Sequence, residues 1–504
     1  MVARTHTVAF QGIDARLIEV QCALSPGVPG FAIVGLPDKA VTEARERVKS
    51  ALIEMQVALP SKRITVNLSP ADLPKTGSHF DLPIALSVLS AIGVLPEDSV
   101  AGLVSLGELS LSGALISVPG VLPSALATAE AGLTLLCPAA CSAEAAWVPA
   151  AAPCGAETLG QIVSHLNGKG PLPPAEPGAA QPATGGPCLS DVRGQARAKR
   201  ALEIAAAGRH HLMMVGPPGS GKSMLAQRLP GILPPLRPEE ALESSMIHSL
   251  AGHLGEGGLL TDRPFCDPHH TASQAAIVGG GKGARPGQVS LAHHGVLFMD
   301  ELPEFSRNVL NSLRQPIETG EILIARAQAN MRYPSRFLLV AAANPCRCGY
   351  LADAGRACGR APACGQDYLG RVSGPLMDRF DLRIELPPVA ISDLDRPPDG
   401  ERSETVRARV KAARDRQADR FQDIPGATVN ADAGPDLLDR FARPDDEGRR
   451  LLARISDKFS LTARGYHRLL RVARTIADLS DADQIAANHI AEAASFRVTF
   501  LSGH

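Results

Sequence analysis

The stretch Gly216-Pro217-Pro218-Gly219-Ser220-Gly221-Lys222-Ser223 decides how the rest of this 504-residue chain is read. It meets the pattern G-x-x-x-x-G-K-[ST] at every fixed position. Before it, Leu212-Met213-Met214-Val215 is an apolar run that predicts a buried parallel strand, and residues 224–229 predict a helix stopped by Pro230. Strand, glycine-rich turn and helix N-terminus make an anion cradle, because first-turn amides have no helical acceptor and the helix dipole adds to them. A nucleoside triphosphate fits such a cradle. Lys222 would reach the β- and γ-phosphates of ATP, and Ser223 would hold Mg²⁺.

Two further strands carry complementary chemistry. Gly295-Val296-Leu297-Phe298-Met299 is apolar and ends in Asp300-Glu301. Asp300 would bind Mg²⁺, and Glu301 would act as general base toward the attacking water. A second apolar run, Phe337-Leu338-Leu339-Val340-Ala341-Ala342-Ala343, ends at Asn344, where a polar group at a strand's C-terminal end can orient that water. Arg379, in Ser373-Gly374-Pro375-Leu376-Met377-Asp378-Arg379-Phe380-Asp381, is placed to reach a neighbouring subunit's γ-phosphate; its alternative is a salt bridge with Asp378 or Asp381. Arg464 is the candidate to couple bound nucleotide to movement of a helical lid, whereas Arg468, Arg471 and Arg474 read as a solvated or interface face.

Inserts interrupt this core. Residues 265–290 hold Asp267-Pro268-His269-His270 and a glycine-rich run, which predicts a mobile exposed loop. Residues 318–337 predict a β-hairpin. Lys282, Arg285 and Arg326 on these inserts are candidates for DNA phosphate contacts. The pairs His269-His270 and His293-His294 lack the i, i+4 spacing of a helical metal site. Cys346, Cys348, Cys358 and Cys364 cluster in the loop after Asn344, and four thiolates there could close a Zn²⁺ site, with free thiols or a redox pair as the alternatives.

The chain is too long for one core. We expect a multidomain α/β protein with an α+β unit at 1–166, a Pro/Gly/Ala-rich linker at 167–189 that permits relative motion, an α/β core with a parallel sheet at 190–390, and a helical lid at 391–504. Net charge is −1, so contact with nucleic acid must rest on local basic clusters, and scarce aromatics argue against base-stacking platforms. The N-terminus lacks a signal-peptide pattern and no run of eighteen apolar residues occurs, so a cytoplasmic protein with no membrane partner is expected.

Within the first unit, residues 67–85 resemble the Lon-type protease segment in which Pro-Lys-x-Gly-x precedes a nucleophilic serine, and residues 119–127 resemble the one that carries the catalytic lysine. His79 and Ser124 stand at those two positions, so a Lon-like fold without peptidase activity is expected. The whole chain resembles the ComM (YifB) family of magnesium-chelatase-like AAA+ ATPases. Carrying that resemblance are the Lon-like unit, Gly194-Gln195, the phosphate loop, His269-His270-Thr271-Ala272-Ser273, Asp300-Glu301, Asn344-Pro345-Cys346, the Ser373 to Asp381 segment and Arg464-Gly465-Tyr466-His467-Arg468. The resemblance implies a homohexameric, ATP-driven helicase that promotes branch migration of single-stranded or branched DNA during natural transformation. Two readings compete: a magnesium-chelatase motor subunit and an ATP-dependent protease.

Overall fold

The computed structural model describes residues 2–179, 186–254, 257–281, 285–325, 330–351, 355–388 and 400–497. The N-terminal unit is built on strands β1 (Val2–Gln11), β2 (Asp14–Ser25), β3 (Gly30–Val34), β4 (Arg63–Ser69) and β5 (Leu103–Ser105), a small ribbon of β6 (Glu108–Leu109) and β7 (Leu115–Ile116), then β8 (Thr134–Pro138) and β9 (Cys154–Ala156). Its main sheet has the order β3-β4-β2-β1-β5-β8-β9, with antiparallel β1-β2 and β2-β4 pairs and parallel pairs elsewhere. Against it lies the helix Asp81–Ala91, buried along nearly its whole length, as an almost wholly apolar helix must be. Asp81 at its start is buried as well, and Arg47 of the helix Lys39–Glu54 pairs with both its oxygens at 2.5 and 2.9 Å.

The second unit contains β10 (Leu212–Val215), β11 (Phe265–Cys266), β12 (Val296–Met299), the hairpin β13 (Glu321–Ala325) and β14 (Asn330–Pro334), β15 (Leu338–Ala343) and β16 (Leu382–Glu385). Five of these form a parallel sheet in the order β11-β12-β15-β10-β16. The central strands β10, β12 and β15 are buried at every residue, so continuous apolar runs rather than alternation mark them in sequence. The hairpin pairs Ile324 with Met331 and Glu321 with Pro334.

Three local expectations change. Pro230 does not stop a helix spanning 224–229. The helix Lys222–Ala226 ends earlier, and Pro230 sits in the first turn of a new one, Leu229–Ile232, where its missing N–H costs nothing. The segment 265–290 is not one exposed loop: Phe265–Cys266 forms the sheet edge, and the helix Gln274–Val278 buries Ile277. The 167–189 segment is pinned where it is described, since the amides of Leu172, Ala175 and Gly178 donate to His165 Nδ1, the Pro153 carbonyl and the Ala143 carbonyl.

The two units also dock on each other. Leu254 is buried in the N-terminal core, with Leu242, Met246, Leu259 and Leu260 packed alongside. Glu144 accepts from the Leu122 amide at 2.9 Å and from the Ser249 hydroxyl, and Trp147 Nε1 donates to the Gly257 carbonyl at 2.9 Å. At the β1-β2 turn, Gly12 has φ +72°, and a Cβ there would lie 2.1 Å from the Arg332 carbonyl of the hairpin. The C-terminal helices Ser403–Phe421 and Ala463–Leu479 share one continuous core with the helix Ala196–Gly208 and the parallel sheet.

Candidate active site

Because β10, β12 and β15 are adjacent and parallel, the residues that follow each of them meet at one end of the sheet. These are the phosphate loop after Val215, Asp300 after Met299 and Asn344 after Ala343. Lys222 is mostly buried, and its ammonium donates to the carbonyls of Gly216 and Pro217 at 2.7 and 2.9 Å and to Asn344 Oδ1 at 3.2 Å. Burial holds its proton affinity below that of an ordinary lysine, partly offset by Asp300 and Glu301. Ser223 Oγ donates to Asp300 Oδ2 at 2.5 Å, so two oxygen ligands suited to Mg²⁺ already face each other. Gly219, Ser220 and Gly221 shape the turn between Pro217-Pro218 and the helix, and Gly221 caps that helix in the left-handed region at φ +86°.

Glu301 follows Asp300 at φ +51°, a backbone conformation uncommon for a non-glycine residue, and its amide donates to Asp300 Oδ1 at 2.9 Å. This turn carries the Glu301 carboxylate out of the strand toward the insert, where His270 Nδ1 lies 3.4 Å from Glu301 Oε2. Asp267, just after β11, has its carboxyl pushed up by burial and by the nearby Asp300 charge. Sequence reasoning gave neither His270 nor Asp267 a role beside Glu301. The signal was their position just after an apolar pair that proves to be a strand.

Arg379 and Arg464 lie elsewhere. Pairing of β16 with β10 aligns Leu382 with Leu212 and Glu385 with Val215, so Arg379, which precedes β16, sits at the end of the sheet opposite the phosphate loop. Its guanidinium is 7% exposed and pairs with Glu318, not with Asp378 or Asp381. Asp378 pairs with Arg383 at 3.5 Å, and Asp381 lies 3.6 Å from His210 and 3.7 Å from Arg468. Burial alone would raise the Asp381 carboxyl, but His210 and Arg468 hold it well below the usual carboxylate range. Arg464 is exposed at the start of the helix Ala463–Leu479, close enough to Arg379 to repel it. Arg471 and Arg474 do not form a solvated face: Arg471 Nε donates to the Ala433 carbonyl at 2.7 Å, and Arg474 Nε donates to Asp478 at 3.1 Å.

Of the candidate DNA contacts, Arg285 is exposed on the insert, while Lys282 and Arg326 lie outside the described residues. The four clustered cysteines are neighbours but do not close into one ligand set. Cys346 and Cys348 sulfurs are 3.1 Å apart. Hydrogen bonds from the Tyr350 amide, from Cys346 and from Cys358 draw the Cys348 thiol down to about 7. Among the described residues, the compact group of ligand atoms is instead Glu243, His293 and His294. There His293 Nδ1 accepts the Arg336 amide at 2.9 Å, which puts the ring proton on Nε2, 3.1 Å from Glu243. A metal at that nitrogen would require an imidazolate, so the group is a hydrogen-bonded cluster in which Glu243 accepts from a neutral His293 ring.

In the N-terminal unit, neither dyad position is poised for hydrolysis. His79 is buried with Nε2 2.9 Å from the Val8 carbonyl, and burial pushes it down to about 4. Ser124 Oγ donates to the Gly120 carbonyl at 2.6 Å, and Ser78 donates to Glu108 rather than to His79.

Comparison with known proteins agrees with this arrangement. Residues 188–394 match the family described as magnesium chelatase, subunit ChlI; residues 18–140 match subunit ChlI of Mg-chelatase; and residues 400–497 match the subunit ChlI C-terminal family. The competence protein ComM of Haemophilus influenzae is 43% identical over 502 residues, covering 98% of this chain and 97% of that protein. The YifB protein of Escherichia coli is 43% identical over 494 residues, covering 98% and 96%. The magnesium-chelatase 38 kDa subunit of Rhodobacter capsulatus is 26% identical over 215 residues, covering 39% and 55%. These full-length matches span the N-terminal unit, the sheet and the C-terminal helices, and the chain belongs to the ComM/YifB family of magnesium-chelatase-like proteins.

Proposed function

We propose that this chain is an ATP-driven DNA-remodelling motor. It assembles as a homohexamer promoted by nucleotide or DNA, and it moves branch points of single-stranded or branched DNA when incoming strands recombine. One observation carries the reading: Lys222, Ser223, Asp300, Glu301 and Asn344 converge at one end of a parallel sheet, in a chain related along its length to a competence protein. Magnesium, when bound, offsets the charge of the phosphates. Ser223 and Asp300 hold it. Lys222 exchanges its carbonyl partners for phosphate oxygens, a stronger charge-assisted contact. Glu301 takes the proton of the attacking water, with His270 beside it to orient the carboxylate, and Asn344 orients the water from the next strand. Arg379 and Arg464 act on the neighbouring subunit's nucleotide, since each is a sheet's length from its own phosphate loop. Arg285, together with Lys282 and Arg326, contacts DNA phosphates.

A chelatase motor role is the second reading, favoured by the matches to magnesium chelatase subunit families. The protease reading has no support in the contacts of His79 and Ser124. The test of function is a three-strand branch-migration assay with ATP. The reading expects wild type to move the junction and Glu301→Gln to bind DNA without moving it. A wild-type protein that turns over ATP only with a chelatase partner and leaves the junction in place would replace the first reading with the second.

A further inference from the structure

We propose that Glu318 is a positioning residue: it occupies Arg379 until a neighbouring copy of this chain presents its nucleotide. The proposal rests on the cross-subunit role of Arg379 given above. Arg379 is an almost fully buried cation, and burial lowers its hold on its proton. Its Nη1 donates to the Pro375 carbonyl, its Nη2 pairs with Glu318, and its Nε has no partner among the described residues. The groups around it are mostly cationic, with Arg314, Arg464 and Arg468 all repelling it. The other two carboxylates in the adjoining cavity of about 400 Å³ are already engaged, Asp381 by His210 and Arg468, and Asp432 by Arg209. Glu318 is therefore the counter-ion that makes burial of Arg379 tolerable in an isolated subunit.

A phosphate arriving from a neighbour would meet the Glu318 charge on the same guanidinium edge. The two negative charges repel across that edge, and a phosphate that takes two N–H groups of it competes with Glu318, whose side chain, 54% exposed, has room to move away. Glu318 stands in the last turn of the helix Arg314–Thr319, and Gly320 joins that helix directly to β13. The Ser335 amide after β14 donates to the Gly320 carbonyl at 2.7 Å, which ties both arms of the hairpin to the same point. Displacement of Glu318 is thus transmitted to the hairpin, and force on the hairpin is transmitted to Arg379.

The test uses the full chain as wild type, Glu318→Gln and Glu318→Asp. ATP turnover is measured with and without a forked duplex, at concentrations where light scattering gives the same assembly state. Glu318→Gln should raise DNA-free kcat roughly three- to five-fold, the factor that a half-exposed ion pair supports, with KM for ATP unchanged. Stimulation by the fork should shrink by the same factor, and Glu318→Asp should restore wild-type values. A DNA-free kcat in Glu318→Gln equal to or below that of an active wild type overturns the role of Glu318 and leaves the motor reading intact. A wild type without turnover strikes the motor reading itself.

Discussion

Lys222 carries the burden of charge at the residue scale. Its ammonium is largely withdrawn from water and held by the Gly216 and Pro217 carbonyls and by Asn344, neutral acceptors that only partly compensate its desolvation. An incoming phosphate is a better partner, which makes the residue a recognition device rather than a structural tie. Lys222→Ala should weaken ATP affinity by roughly 10- to 100-fold, the worth of one charge-assisted contact, in a titration with a fluorescent analogue. Unchanged affinity would remove the lysine from the cradle. The phosphate loop was legible from its own fixed residues, and Asp300-Glu301 and Asn344 because each follows an apolar run that ends at a polar residue. Glu318 and His270 were not, because each meets its partner through the fold: Arg379 lies 61 positions beyond Glu318, and His270 reaches Glu301 from a separate insert.

At the scale of elements, periodicity revealed those strands that are long and buried on both faces. It missed Phe265–Cys266, a two-residue edge strand with no pattern to read, and it misjudged Pro230, which opens a short helix as readily as it closes one. The helix Asp81–Ala91 shows what apolarity alone leaves unsaid. Its first residue is a fully buried aspartate whose carboxyl is pushed up by burial despite Arg47 and the Leu109 amide. Removing Arg47 would strand that group. Arg47→Ala should therefore cost about 3–5 kcal/mol in denaturant unfolding of the N-terminal unit. A loss below about 1 kcal/mol would mean that the pair behaves as an exposed ion pair.

Across the whole molecule, the segment expected to loosen the two units is held by hydrogen bonds to the first, and the units share a buried contact through Leu254, Glu144 and Ser249. Composition cannot show this, because Pro, Gly and Ala suit a pinned extended segment as well as a free linker. The C-terminal helices, too, share one core with the sheet. The two ends of that sheet divide the proposed work: one holds the nucleotide, and the other carries Arg379 and Arg464 toward a neighbour. Mixing Arg379→Ala with Lys222→Ala subunits should restore about a quarter of wild-type turnover, since half the sites keep an intact loop and half of those face an intact arginine. No restoration in rings shown to be mixed would place the arginine's effect within its own subunit.

The most direct measurement is single-turnover hydrolysis of ATP by purified chain with Mg²⁺ and forked DNA, run beside Glu301→Gln. The account predicts hydrolysis by wild type and at least about a 100-fold slower step in the variant with ATP still bound. Bound ATP that wild type never cleaves, or equal rates in the two proteins, would contradict it.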